Sequence, residues 1–104
     1  MVRAHILLML LLLASCGESD RHRVIREHAE ALDGIHGGAR LLGHRYYEGD
    51  LYLTIEAANR ADLDTIVAPV RERARNEGCK TVLVFIDSRA GIWLKADIWV
   101  MCKP

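Results

Sequence analysis

Between Ser19 and Leu32 apolar side chains recur at helical spacing, at Val24, Ile25, His28/Ala29 and Leu32. Arg21, Arg23, Arg26, Glu27 and Glu30 occupy the other side. Ser19 or Asp20 supplies a cap and Gly34 follows the end, so the stretch predicts a helix. Ile35 to Ala39 reads as a flexible connection. Two runs, RLLGHRYY and LYLTIEA, then flank Glu48-Gly49-Asp50 and predict a hairpin. Gly49 placed first in a two-residue loop suits a type II′ turn. In the second run Leu51, Leu53, Ile55 and Ala57 alternate with Tyr52, Thr54 and Glu56.

Asn59 opens a second helix, with Asp62 at the third helical position. Leu63, Ile66, Val67, Val70 and Ala74 form its apolar stripe, and Gly78 ends it. Pro69 removes a backbone donor in the middle and predicts a kink. The charged Arg71, Glu72, Arg73, Arg75 and Glu77 read as a solvated face. KTVLVFID is a continuous apolar run, which predicts a central strand buried on both faces. Ser88 to Gly91 turns the chain, and IWLKADIWVMCK alternates strictly. Ile92, Leu94, Ala96, Ile98 and Val100 take one side; Trp93, Lys95, Asp97, Trp99 and Met101 take the other. The order is α-ββ-α-ββ, which implies an α+β fold with helices packed on a four-stranded antiparallel sheet.

The N-terminus follows a different rule. Arg3 precedes an unbroken apolar run from Ile6 to Ala14, which as a helix rises only about 14 Å, well short of a ~30 Å hydrocarbon core. The layout is that of a cleaved secretory signal peptide. Leu13-Ala14-Ser15-Cys16 resembles the lipobox of bacterial lipoproteins. The resemblance covers residues 1–16 and carries no information on the fold. It implies cleavage before Cys16, a thioether-linked diacylglycerol on that thiol, and an amide-linked acyl chain such as palmitate. It further implies a protein held by lipid at the cell membrane or outer membrane, facing the periplasm. Gly17 stands where Asp would mark inner-membrane retention in a Gram-negative host, which favours the outer membrane. Residues 1–15 are thus the expected signal peptide, 16–20 a short tether, and 21–104 one small domain.

Charge excludes some classes of partner. The chain holds 14 Lys+Arg and 14 Asp+Glu, and only Arg3 leaves with the signal peptide. No basic excess points to nucleic acid, and no charged block points to a disordered tail.

Candidate chemistry is sparse. A turn centred between Ala90 and Gly91 sets Cys79 opposite Cys102, close enough for a disulfide, which export to an oxidising compartment permits. Two buried free thiols are the alternative. A catalytic dithiol lacks its Cys-x-x-Cys spacing. His22, His28, His36 and His44 show no compact metal spacing, so no metal or other cofactor is expected. Asp87-Ser88 has no His near it in sequence, and Gly37-Gly38 lacks the rest of a phosphate loop. No catalytic set is recognisable, and the chain reads as a non-enzyme.

The outer side of the last hairpin is the candidate interaction surface. Trp93, Trp99 and Met101 share a face with Val82, Val84 and Ile86. If both helices lie on the Leu83/Phe85/Ile98 side, this face stays open for an envelope protein or a second copy. If the first helix crosses over, it is ordinary core. Two further readings remain: an inhibitor or immunity-type protein acting through the Asp87–Gly91 loop and Arg89, and a metal carrier or enzyme using His36 and His44.

Overall fold

The computed structural model describes residues 18–35, 37–87 and 93–103. Cys16 with the segment before it, Gly17, His36, and the loop residues 88–92 (Arg89 included) lie outside the described residues. Among the described residues no helix is long and apolar enough to cross a membrane.

Helix α1 spans Asp20–Leu32. The Ser19 hydroxyl accepts from the His22 N–H at 3.1 Å and satisfies one otherwise unpaired donor of the first turn. The buried stripe is His22, Ile25 and Ala29. His28 is half-buried, and the covered histidine is His22, two residues before the apolar pattern begins at Val24. The Asp33 carboxylate accepts from the Leu41 N–H at 2.8 Å and ties the end of α1 to the sheet.

Strands β1 (Ala39–Tyr47) and β2 (Asp50–Ala57) form the first hairpin. Tyr47 pairs with Asp50, so the loop is Glu48-Gly49. Both have positive φ, 51° and 83°. The turn is therefore of the I′ kind, not the expected II′. The pairing register, rather than the position of glycine, decides it, and the I′ twist matches the flanking strands. A bulge between Leu41 and Gly43 interrupts β1.

Helix α2 spans Arg60–Asn76 and runs through Pro69 as one element. Asn59 caps it by accepting from the Asp62 N–H at 2.9 Å. At the far end Gly78 takes a φ of 76°, and the Cys79 N–H reaches back to the Ala74 carbonyl at 2.8 Å. That left-handed exit closes the helix and launches the next strand.

Strands β3 (Lys80–Asp87) and β4 (Leu94–Met101) complete one antiparallel sheet of order β1-β2-β4-β3. This corrects one expectation. KTVLVFID is an edge strand, and β4 takes the central place beside β2. An all-apolar run signals burial on both faces only if something covers both, and here nothing described lies over the second face.

Both helices pack on the same side of the sheet. Helix α2 crosses all four strands, and α1 lies beside it over β1 and β2. Leu51, Leu53, Ile55, Ala96, Ile98 and Val100 face Ile25, Leu63, Ile66, Val67 and Val70 in the core. Each such aliphatic side chain contributes on the order of 1.5–3 kcal/mol by leaving water. Cys79 and Cys102, just outside β3 and β4, hold their sulfurs at 2.02 Å with Cα atoms 4.4 Å apart, a disulfide-compatible pair.

Candidate interaction face

Strand alternation sends every second side chain of β2 and β4 away from the helices. Three rows can be followed across this open side. Tyr47, Asp50, Met101 and Lys80 form the first; Arg45, Tyr52, Trp99 and Val82 the second; Gly43, Thr54, Asp97 and Val84 the third.

The half nearer β1 is a closed polar and aromatic network. Tyr52 stacks on Trp99 with ring centroids 5.8 Å apart and planes 10° from parallel. The Arg45 guanidinium lies 4.7 Å from the other side of the Tyr52 ring. The Trp99 indole N–H donates to Asp50 Oδ2 at 2.9 Å. Asp97, only 4% exposed, accepts from the Thr54 hydroxyl at 2.6 Å and from Arg45 Nη2 at 2.8 Å. A buried carboxylate without partners costs several kcal/mol, and here both oxygens are engaged. Desolvation and the Asp50 carboxylate hold the Tyr52 phenol above its ordinary pKa, so it stays neutral at physiological pH. Arg40 pairs with Glu56 at 2.8 Å below this network.

The half nearer β3 is apolar and open. Val82, Val84 and Ile86 are 41%, 42% and 51% exposed; Trp93, 45% exposed just before β4, stands apart from them beside a hollow it shares with Gly37, Ala39, Arg40 and Glu56. Contiguous exposure of this kind on a small protein marks an interaction surface more often than chance.

The five residues expected to bind a partner are therefore separated in role. Trp93, Val82 and Val84 are exposed. Trp99 and Met101 are half-buried, and Trp99 has its one donor already occupied. The sequence pattern does not single out Tyr52, Arg45, Thr54 or Asp50 as members of this face. Their signal was the alternation of β2, which put Tyr52 and Thr54 off the core. What it lacked was the β2–β4 pairing that sets them beside Trp99 and Asp97.

A second cluster sits at the start of α1. Glu18 pairs with Arg26 at 2.6 Å and accepts from the Tyr46 hydroxyl. The Tyr46 ring lies against His22 and His44. Burial pushes the His22 imidazole below its ordinary pKa, and its Nε2 has no hydrogen-bond partner among the described residues. Arg26 holds the Glu18 carboxyl below its usual value. Among the described residues no three His, Cys, Asp or Glu side chains converge as a metal site would require.

Comparison with known protein families, with curated proteins and with solved structures finds no match to this chain.

Proposed function

We propose that this chain is a small lipid-anchored lipoprotein of the cell envelope, attached through Cys16, and that it acts as a non-catalytic protein-interaction module. The observation that carries the docking half is the sidedness of the sheet. Both helices lie on one face, and Val82, Val84, Ile86 and Trp93 stand exposed on or beside the other. The lipobox carries the anchoring half. The Arg45–Tyr52–Trp99 stack and the buried Asp97 fix the neighbouring half of the same face, so that a partner meets a preformed surface beside Val82 and Val84.

Two measurements test the reading. Intact mass of the membrane-extracted protein should begin at Cys16 and include acyl groups; an unmodified full-length chain removes the anchor. Val82→Glu combined with Trp93→Ala changes exposed positions away from Asp97, so the melting temperature should hold while complex formation in the membrane is lost. A complex that survives this pair of changes sinks the docking face.

A further inference from the structure

Strand β3 pairs with β4 on one side, and among the described residues no strand pairs with its other side. That edge presents free backbone donors and acceptors. Edge strands in stable proteins are usually guarded by bulges, prolines or charges. The opposite edge, β1, is guarded in this way: it carries a bulge between Leu41 and Gly43, and Arg40 and Arg45 are exposed along it. From Thr81 to Ile86, β3 has no Pro, Gly or charged residue, and its only irregularity falls after Phe85.

The surroundings of this edge are chemically one-sided. A groove between α2 and the start of β3 is lined by Arg71, Arg75 and Lys80 together with Thr81, Val82 and Met101. Three cations line it and no carboxylate does. Arg71, Arg75 and Lys80 are exposed and make no ion pair among the described residues. On their other side Arg71 and Arg75 also line a neighbouring hollow of α2 with Asp64 and Glu72, so the groove at β3 is the flank of these arginines without a carboxylate. The whole chain has a formal net charge of +0, so this excess is local.

We propose that the free edge of β3, from Lys80 to Phe85, accepts an extended segment of the partner as a fifth strand, and that this segment alternates acidic and apolar residues. The inference rests on the interaction-module reading and names the chemistry of its partner. Backbone pairing supplies the affinity, and side chains supply the choice. Alternate residues of the incoming strand fall on the helix side, where carboxylates meet Arg71 and Arg75. The others fall on the open side, beside Val82 and Val84. A second copy of this chain fits less well. Its own β3 has no acidic residue from Lys80 to Ile86, and Arg60 stands over Phe85 at 4.8 Å, adding a cation of its own beside the strand.

The test uses the full chain in detergent and a short fluorescent peptide alternating Val and Glu. This peptide should bind, binding should weaken with salt, and amide shifts should concentrate on β3. A Val–Lys peptide, or the Val–Glu peptide with a central Pro, should not bind. Arg71→Glu with Arg75→Glu should weaken binding at least about tenfold, since paired charges across an interface are reversed. Equal binding of the two charged peptides, or no binding of either, overturns the proposal. So does a concentration-dependent dimer whose amide shifts concentrate on β3, because the edge then belongs to a second copy. A photo-crosslinker in place of Trp93 reads the module separately. A crosslinked partner without peptide binding rejects the fifth strand and keeps the module; the absence of both rejects the two together.

Discussion

Replacing both Cys79 and Cys102 by Ala should cost about 3 kcal/mol. The pair is separated by 23 residues in sequence, and closing a loop of that length lowers the entropy of the unfolded chain by about this amount at 25 °C. Cys79 is buried and Cys102 half-buried, so Ala adds no polar group to the interior, and the lost sulfurs subtract a little packing. For a domain of this size each kcal/mol moves the midpoint by roughly 4–8 °C, which predicts a fall of about 15 °C. Thermal melts followed by circular dichroism, of the oxidised protein, the reduced protein and the double variant, measure it. The reduced protein and the double variant should agree. Hydrogen exchange should show the loss first in β3, since the pair ties that edge strand to the end of central β4. An oxidised protein that melts within about 3 °C of the double variant would refute the entropic argument. It would mean that the unfolded chain is already restrained, or that the bond does not form in the protein as made.

Other expectations follow from particular contacts. Ile98→Ala empties a core position between two strands and α2 and should cost about 3–4 kcal/mol in urea titration, against less than about 1 kcal/mol for Val84→Ala on the open side. Asp97→Ala leaves Arg45 and Thr54 without their acceptor and should cost more than Asp97→Asn, which keeps the Thr54 bond; about 2 kcal/mol separates the wild type from the alanine variant. Acid should destabilise the protein in two stages. The folded-state pKa of His22 is depressed, so its contribution is complete above about pH 6.5 and is lost as pH falls below that value. Glu18 is also depressed, and its share is lost below about pH 4.5. His22→Gln should flatten the upper stage of a stability–pH curve and leave the lower one.

What the sequence made legible depended on period. The α2 stripe and the alternation of β2 and β4 place Leu63, Val70, Leu53 and Ile98 in the core correctly, because each element repeats its own geometry many times. The Cys79–Cys102 opposition was also readable, since the β3–β4 register runs without slippage from Lys80 to Phe85 and the bulge falls on the turn side of that stretch. Strand order was not readable. Nothing local to KTVLVFID says that β4 will sit between it and β2, and an apolar run looks the same at an edge as at the centre. The Glu48-Gly49 turn failed for a related reason: a non-glycine residue at positive φ is fixed by pairing across the hairpin, not by propensity. The open face was half legible. Its apolar members came from alternation, whereas the Tyr52–Trp99 stack and the Asp97 network needed the long-range pairing.

The central position of β4 also governs the order of events during translation. It is the last of the four strands to leave the ribosome, yet β2 and β3 meet only through it. Until it emerges, β3 has no neighbour, and the β1–β2 hairpin has one edge bare. Ile98 and Val100 are missing from beneath α2 in the same interval. In that interval only the β1–β2 hairpin can pair, and the long-range β2–β4 pairing follows it. Closure of the sheet, and of the core beneath α2, therefore waits for residues 94–101.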